Sequence, residues 1–276
     1  MLNSKAVELF FASSLAAVAA PAENVKPTSR NTSPVKLNWL RSMFPVAILA
    51  GGLAMRLRSL TQTIPKALID VNGEPFIAHQ LRLLRANGIE RVIVCTGYLD
   101  EMIQSYIGDG ERFGLQVAFS FDGPRLLGTG GAIKKALPLL GDAFFVLYGD
   151  SYLPCDYRTV QSEFERRGRL ALMTVFRNED RWDRSNVEFV DGQILAYDKQ
   201  NQTLWMHYLD YGLGIFKRSA FENVPDDQQY DLATLYQDLL AHGELAAYET
   251  SQRFYEVGSW DGLEETRRYL AVQSHP

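Results

Sequence analysis

The sequence predicts an α/β fold built on an open, mainly parallel twisted sheet with helices on both faces. Two observations lead to this prediction. Between residues 44 and 150, short apolar runs rich in β-branched and aromatic residues alternate with segments of helical periodicity. After Asp150, similar runs are separated by short turns such as Asp191-Gly192, which is typical of antiparallel pairing. The second half therefore predicts a smaller antiparallel or mixed portion.

Four apolar runs are the predicted strands of the first half, because parallel strands are buried on both faces. They are VAILA (46–50), RVIVC (91–95), QVAFSF (116–121) and FFVLY (144–148). Three helical patterns lie between them, namely PFIAHQLRLLRANG, DEMIQSYIG and GAIKKALPLLG. This βαβ alternation predicts right-handed crossovers. In the second half, the runs RLALMTVF, SNVEFV, QILAYD and YGLGIFK are the predicted strands.

The first 42 residues differ in composition from the rest of the chain. The apolar stretch VELFFASSLAAVAA is followed by a polar segment rich in Pro, Ser, Thr and Asn. It resembles an export signal, but only Lys5 charges its start and Glu8 interrupts it. It is also too short to span a bilayer as a helix. We favour the alternative, a disordered or mis-assigned extension with Met43 as the working start.

Composition narrows the function classes. The chain of 276 residues is 46% hydrophobic and 22% charged, as expected of a globular protein. Its net charge of −5 and pI near 5.5 argue against a nucleic-acid binder, which needs a basic face. Cys95 and Cys155 lack metal-knuckle spacing and are expected to be buried or part-buried thiols in a reducing compartment, and the four scattered histidines argue against zinc.

A loop with the character of a phosphate site follows the first predicted strand. Gly51 and Gly52 would let backbone N–H groups approach an anion, and Arg56 offers a planar cationic fork. Lys66 follows Pro65 a little further on. The alternative is a tight strand exit with a surface arginine and a solvated lysine. The combination within one loop favours phosphate binding.

Two further features fall at the carboxyl ends of predicted strands, where open parallel sheets bind ligands. Gly149-Asp150 places a carboxylate there, and Mg²⁺ prefers such oxygen ligands. The alternative is a turn aspartate. In LLGTGGAIKKAL (126–137), glycines and Thr129 lead into a helix, so the backbone could lie against a base or meet an anion. The alternative there is an N-cap with flexible glycines.

Taken together, these motifs resemble the sugar-1-phosphate nucleotidylyltransferase family, whose short members include hexose, heptose and muramate 1-phosphate enzymes. GGLAMRLRSLT and IPKALIDVNGEPFI are similar to its opening signature, LLGTGGA to its base-binding segment and LYGD to its strand-end aspartate. YDKQN, LDYGLGIF and FYEVGSWDGLEE resemble later family segments. The resemblance implies a Rossmann-like fold and one domain over residues 43–276, with a nucleotide-binding half (43–155) and a sugar-binding half with a closing helix (156–276).

The resemblance also implies a reaction in which a sugar 1-phosphate oxygen attacks the α-phosphorus of a nucleoside triphosphate and pyrophosphate leaves. Arg56 and Lys66 would act on the phosphates, and Asp150 and Glu256 would hold Mg²⁺. The implied nucleotide contacts are Leu49, Ala50, Gly51, Gly52, Gly128 and Thr129. The implied sugar-phosphate contacts are Asn186, Glu188, Lys199, Asp210, Tyr211 and Gly212.

The chain departs from the family pattern at three places. Ala54-Met55 stands where a glycine and a hydroxyl residue are usual, Glu256 replaces an aspartate, and Ser185-Asn186 stands where glycine is frequent. Two alternatives stay open: a glycosyltransferase of similar layout, and a sensor that binds nucleotide-sugars without turnover. We expect a cytoplasmic enzyme without a nucleic-acid or membrane partner. A homo-oligomer is compatible with the sequence, which leaves the base, the sugar and the oligomeric state open.

Overall fold

The computed structural model describes residues 42–52, 64–97 and 99–273. Arg56 and the Ala54-Met55 departure lie outside these residues. The described strands are β1 (Val46–Leu49), β2 (Asp70–Val71), β3 (Glu74–Pro75), β4 (Arg91–Thr96), β5 (Gln116–Phe121), β6 (Ala143–Tyr148), β7 (Ser151–Tyr152), β8 (Ala171–Arg177), β9 (Val187–Val190), β10 (Gln193–Tyr197), β11 (Tyr208–Lys217), β12 (Leu245–Thr250) and β13 (Tyr255–Glu256). The described α-helices are α1 (Phe76–Ala86), α2 (Asp100–Ile107), α3 (Gly128–Ala136), α4 (Tyr157–Arg167), α5 (Leu232–Ala241) and α6 (Trp260–Gln273).

The central sheet confirms the predicted architecture. Its main path runs β10-β9-β11-β6-β1-β4-β5. β1 pairs in parallel with β4 and β6, and β4 pairs in parallel with β5. β11 pairs antiparallel with β6 and β8, while β12 runs parallel to β8. The antiparallel strands of the second half therefore share one sheet with the parallel strands of the first half.

Helices cover both faces of this sheet, as predicted. Val46 and Ile48 of β1 belong to a buried cluster that includes side chains of α1, α2 and α4. Ala47, between them in the strand, belongs to a second buried cluster with side chains of α3 and α5. Successive residues of a strand point to opposite faces, so a strand that is apolar throughout is buried on both sides.

One predicted helix is shorter than its sequence pattern suggested. The pattern GAIKKALPLLG was expected to be helical throughout, but α3 ends at Ala136 and a 3₁₀ turn spans Leu137–Leu139. Pro138 lies in that turn and has no N–H to donate, so the α-helical hydrogen bonds cannot continue through it. Other helix and strand boundaries differ from the prediction by a few residues.

The predicted turn and the predicted burial of the thiols are also confirmed. Asp191 and Gly192 join β9 and β10 with φ angles of 49° and 79°, the left-handed values of a tight hairpin turn. Cys95 and Cys155 are buried and unpaired, and burial raises the pKa of each thiol to about 12.

Among the described residues, none of the helices has the length and apolar character needed to cross a membrane.

The N-terminus of α4 offers a stability test. The Asp156 carboxylate accepts hydrogen bonds from the N–H groups of Arg158 and Thr159 and from the Thr159 hydroxyl. We expect Asp156→Ala to lower the free energy of unfolding by about 1 kcal/mol, as measured by urea denaturation. The exposed Asp142, which is not a helix cap, is the control: Asp142→Ala should leave stability unchanged.

The same cap predicts a pH dependence. The hydrogen bond from the Thr159 hydroxyl, together with those from the two backbone N–H groups, lowers the pKa of Asp156. A carboxyl whose pKa is lowered by folding stabilises the protein above its unfolded pKa, and this contribution is lost as the pH falls. The difference between wild type and Asp156→Ala should therefore shrink below about pH 4. A difference that stays constant down to acid pH would contradict the cap.

Candidate active site

Several strand ends meet at one edge of the sheet. β6, β1, β4 and β5 are neighbours in this order and run in the same direction, so the residues that follow them lie side by side. These residues are Asp150 after β6, Gly51 after β1, Gly97 after β4 and Asp122 after β5. Ligands of open parallel sheets bind at such an edge.

A cavity of about 290 Å³ lies at this edge and is called the first cavity below. It brings together eight of the residues predicted from the sequence: Leu49, Ala50, Gly51, Gly52, Lys66, Gly128, Thr129 and Asp150. Its wall also includes Cys95, Asp122, Leu126 and Tyr148. The eight predicted residues come from four separate segments of the chain and converge on one space. Their roles toward a ligand stay predictions.

Lys66 and Asp150 form an ion pair in the first cavity. The Lys66 Nζ lies 2.6 Å from the Asp150 Oδ2, and both side chains are partly exposed to the cavity. Lys66 begins a 3₁₀ turn, and the buried Pro65, Ala67 and Ile69 around it fix the backbone from which the lysine reaches inward. The pair places one positive and one negative charge beside the glycine loop.

Helix α1 supports the turn that carries Asp150 through hydrogen bonds. Gln80, which is 2% exposed, donates hydrogen bonds from Nε2 to the carbonyl groups of Tyr148 and Ser151, at 3.0 and 2.7 Å. The N–H of Gly149 donates to the Leu49 carbonyl at 2.9 Å. A Cβ at Gly149 would lie 2.8 Å from that carbonyl oxygen, so the close approach of β1 and β6 requires glycine.

The two glycines after β1 differ in their surroundings. A Cβ at Gly51 would approach the N of Gly97 to 3.2 Å, so Gly51 is packed against the end of β4. Among the described residues, no atom lies within 4 Å of a Cβ built at Gly52, which is exposed. That a ligand approaches the backbone at Gly52 stays a prediction.

The glycines of the LLGTGGA segment have a packing role that the sequence did not reveal. Gly128 has a φ of +70°, and a Cβ on it would lie 2.7 Å from the Tyr230 carbonyl oxygen. Gly130 and Gly131 are equally close to the 228–232 segment. The Thr129 hydroxyl donates to Asp231 Oδ1 at 2.9 Å and accepts from the N–H of Leu232 at 2.8 Å. The Thr129 hydroxyl therefore secures the start of α5.

Glu256 reaches Asp150 through a short antiparallel pair. β13 pairs with β7, with Glu256 opposite Ser151, and the N–H of Val257 donates to the Asp150 carbonyl at 2.9 Å. The Glu256 carboxylate accepts hydrogen bonds from the N–H of Gly258 and from the Ser259 hydroxyl. It is thus held at the start of α6, next to the Lys66–Asp150 pair.

The two carboxylates fit a magnesium ion by their chemistry. A Cβ built at Gly258 would lie 2.5 Å from Glu256 Oε2 and 3.4 Å from Asp150 Oδ2, so both oxygens border the same small space. Mg²⁺ is commonly held by one or two carboxylates together with substrate phosphates. Within the described residues there is no cluster of three or more His, Cys, Asp and Glu side chains suited to a metal. The metal role of Asp150 and Glu256 therefore stays a prediction.

A second cavity of about 790 Å³ adjoins the first and shares Tyr148 and Asp150 with it. It is bordered by six residues that were predicted from the sequence: Asn186, Lys199, Asp210, Tyr211, Gly212 and Glu256. Its wall also contains the arginines Arg181, Arg184 and Arg253. The predicted sugar-phosphate residues are thus brought beside the predicted metal residues, with one exception. Glu188 lies in β9 and is not among the described residues that border either cavity.

Asp210 is the centre of a polar network in the second cavity. Its side chain is 3% exposed and accepts hydrogen bonds from the N–H of Gly212 at 3.0 Å and the Tyr197 hydroxyl at 3.1 Å. The Lys199 Nζ lies 3.5 Å from Asp210 Oδ2 and 3.4 Å from the Tyr148 hydroxyl. Burial raises the pKa of Tyr148 to about 12, so this phenol stays protonated near neutral pH. The network fixes the Lys199 ammonium in the second cavity, next to Tyr148, which borders both cavities.

Sequence analysis missed two residues that border these cavities, Asp122 and Tyr148, and two that hydrogen-bond to cavity residues, Gln80 and Tyr197. Gln80 interrupts the apolar face of a helical pattern, and a buried polar residue of this kind was the available signal. Asp122 follows a predicted strand in the same way as Asp150 does, so the strand-end rule applied to both. No feature of the sequence pointed to Tyr148 or Tyr197 as site residues, because aromatic residues at strand ends are usually part of the core.

Comparison with known proteins agrees with this arrangement. A family model described as nucleotidyl transferase matches residues 46–272. The chain is 32% identical over 201 residues to a UTP–glucose-1-phosphate uridylyltransferase of Synechocystis sp., a match that covers 67% of this chain and 52% of the relative. It is 35% identical over 153 residues to a D-glycero-alpha-D-manno-heptose 1-phosphate guanylyltransferase of Campylobacter jejuni, a match that covers 55% of this chain and 67% of the relative. The chain thus spans about half the length of the Synechocystis relative.

Solved structures show the same fold. HddC from Yersinia pseudotuberculosis, complexed with GMP-PN, superposes with a TM-score of 0.69 at 24% identity, covering 83% of this chain and 100% of HddC. A putative glucose-1-phosphate thymidylyltransferase from Bacillus anthracis gives a TM-score of 0.73 at 20% identity, and the superposition covers 82% of this chain and 94% of that protein. With the family match over residues 46–272, these similarities establish that the chain belongs to the nucleotidyl transferase family.

Proposed function

We propose that this protein is a sugar-1-phosphate nucleotidylyltransferase: it joins the nucleotidyl group of a nucleoside triphosphate to a sugar 1-phosphate and releases pyrophosphate. One observation supports this most directly. The first cavity, with its glycine loop, and the second cavity, with Lys199 and Asp210, share Asp150 and Tyr148. Two phosphate-bearing substrates bound in the two cavities would meet at Lys66 and Asp150. Relatives named as glucose, heptose and muramate 1-phosphate enzymes support the same class.

The proposed chemistry needs positioning and charge neutralisation, and no protein nucleophile. An oxygen of the sugar 1-phosphate attacks the α-phosphorus, a new P–O bond forms, and the bond to the β-phosphate oxygen breaks. Lys66 would face the reacting phosphates, and Lys199 would hold the sugar phosphate beside them. Arg56 is proposed to clamp the departing pyrophosphate, although it lies outside the described residues.

We propose that Asp150 and Glu256 hold Mg²⁺ during this reaction. When bound, the ion would neutralise charge that develops on the phosphate oxygens. Pyrophosphate release should therefore stop when EDTA removes divalent cations and return when excess Mg²⁺ is added. Circular dichroism in EDTA serves as the control, because the fold should persist. Full turnover in metal-free buffer would contradict this assignment.

A matrix of triphosphates against sugar 1-phosphates, assayed by pyrophosphate release, tests the proposed function. We expect pyrophosphate from at least one pair of substrates. Release of a nucleoside diphosphate from a nucleotide-sugar would instead indicate a glycosyltransferase. A metal-dependent glycosyltransferase is expected to have Asp-x-Asp at this strand end, with a second carboxylate two residues after the first. Here Asp150 is followed by Ser151 and Tyr152, and the Tyr152 ring packs on Tyr269 with 6.0 Å between the ring centres. The glycosyltransferase alternative is therefore disfavoured.

The second alternative, a nucleotide-sugar sensor, gives a different result in the same matrix. Tight binding of a nucleotide-sugar without pyrophosphate from any pair would support it and overturn the proposed activity. We further propose that the enzyme acts on soluble substrates in the cytoplasm, where nucleoside triphosphates are available.

A further inference from the structure

Asp122 is a buried carboxylate in the wall of the first cavity with no part in the phosphate chemistry described above. It follows β5 at the carboxyl edge of the sheet and is 8% exposed. β5 is three strands away from β6 in the sheet, and Asp150 follows β6. Three strand spacings amount to about 14 Å, so Asp122 lies at the opposite end of the edge from the Lys66–Asp150 pair. A nucleotide with its phosphates at that pair would extend its base toward Asp122.

The surroundings of Asp122 suit a planar base. Leu49, Cys95, Leu126 and Ala132 provide apolar surface in the same cavity. A Cβ at Gly97 would lie 2.6 Å from Leu126 Cδ2 and 3.1 Å from Asp122 Oδ2, so the close packing of Leu126 and Asp122 against this backbone requires glycine. Among the described residues of the cavity wall, the Asp122 carboxylate thus has apolar neighbours.

Among the described residues, one donor contacts the Asp122 carboxylate. Oδ2 accepts from the N–H of Leu127 at 3.0 Å. The nearby Lys135 donates to the backbone carbonyl of Asp122, at 3.1 Å, and not to its carboxylate. Among the described residues, Oδ1 has no hydrogen-bond donor. Burial raises the pKa of Asp122, as expected for a carboxylate that has lost solvation.

An ionised carboxylate only accepts hydrogen bonds, so it discriminates among bases by their donors. Guanine presents a ring N1–H beside its N2 amino group, which are two adjacent donors on one edge. Adenine and cytosine present one amino group beside a ring nitrogen acceptor. Uracil and thymine present one N–H between two carbonyl groups. In a buried site, an acceptor that faces a carboxylate oxygen is strongly unfavourable.

We propose that Asp122 is the residue that determines base choice, and that it selects guanine by accepting hydrogen bonds from N1–H and N2–H₂. This inference rests on the proposed function, because it assumes that the first cavity holds the nucleotide. It commits the enzyme to GTP where the relatives in the comparison include both uridylyltransferases and guanylyltransferases.

Equilibrium binding of triphosphates to the full-length wild-type protein is the first test. GTP should bind about 10- to 100-fold more tightly than UTP, dTTP or CTP. ITP, which lacks only the N2 amino group, should also bind more weakly than GTP. A preference for UTP or dTTP, or equal binding of GTP and ITP, would overturn the assignment of Asp122.

The variant Asp122→Asn separates base recognition from a structural role. The Asn Oδ1 can still accept from Leu127, so a residue that only holds this loop would leave every affinity unchanged. A base-reading residue gives a switch: GTP affinity should fall about 10- to 100-fold, and XTP, whose C2 carbonyl accepts from the Asn amino group, should bind more tightly than GTP. Asp142→Asn, on an exposed residue at the opposite end of β6, is the matched control and should bind as wild type does.

The outcomes distinguish this inference from the proposed function. If pyrophosphate forms with UTP and Asp122→Asn leaves base preference unchanged, the function stands and the inference fails. If no triphosphate binds, both fail. If Asp122→Asn proves unstable, as judged by its thermal unfolding midpoint, the wild-type comparison of GTP with ITP still decides.

Discussion

Asp150→Ala should lower kcat for pyrophosphate release by about 10²- to 10³-fold or more, because the variant removes a carboxylate at the point where the two cavities meet. The fold should survive the change. The hydrogen bond that joins this position to Val257 is made by the backbone, and the ion pair with Lys66 is partly exposed, so its loss should cost less than about 1 kcal/mol. Single-turnover kinetics measure the rate of pyrophosphate release, and urea unfolding measures the free energy of unfolding.

Asp142→Ala is the matched control for this prediction. Asp142 is an exposed residue immediately before β6, whereas Asp150 follows the same strand at its other end. The control variant should turn over at the wild-type rate. If Asp150→Ala also keeps its activity within about tenfold of wild type, the carboxylate neither holds a metal nor orients a substrate, because loss of such a group costs more.

Lys66→Ala should reduce kcat by a similar factor, about 10²- to 10³-fold, because Lys66 is expected to face the reacting phosphates. Its effect on KM for the triphosphate should be smaller if the lysine acts mainly on the transition state. Lys66→Arg should recover only part of the rate. A guanidinium is planar and larger than an ammonium, and the ammonium here fits within 2.6 Å of Asp150 Oδ2.

Lys217→Ala is the control for the loss of a lysine. The Lys217 Nζ donates to the Gly168 carbonyl at the end of α4, and the residue borders neither of the two cavities. Its removal should leave kcat and KM unchanged. Should Lys66→Ala raise KM strongly at constant kcat, the lysine would contribute to ground-state binding instead of catalysis.

The sheet and most of its elements could be predicted because they depend on local patterns. Apolar runs between turn residues marked β1, β4, β5 and β6, and the βαβ alternation fixed their parallel direction. The rule that ligands bind beyond the carboxyl ends of such strands then placed Gly51 and Asp150 at one edge. The end of α3 was misjudged, because the apolar pattern continued past Ala136 while Pro138 ended the helix.

The glycines of the LLGTGGA segment show the limit of interpreting a motif. Three glycines ahead of a helix suggested a backbone that lies against a base. In the structure, a Cβ at Gly128, Gly130 or Gly131 would collide with residues 228–231, so packing alone requires glycine there. A sequence cannot distinguish the two requirements, because both ask for the absence of a side chain.

The sequence by itself determined the fold class, the glycine loop after β1 and the carboxylate after β6, since each depends on residues close together in the chain. Only the tertiary structure decided which side chains of the site lie close to one another. Lys66 and Asp150 are 84 positions apart, and Glu256 reaches them through the pairing of β13 with β7. Asp122 became visible as a base-reading candidate through its burial in the cavity wall. Burial and charge pairing arise from chain segments that meet in space, so a local pattern carries no record of them.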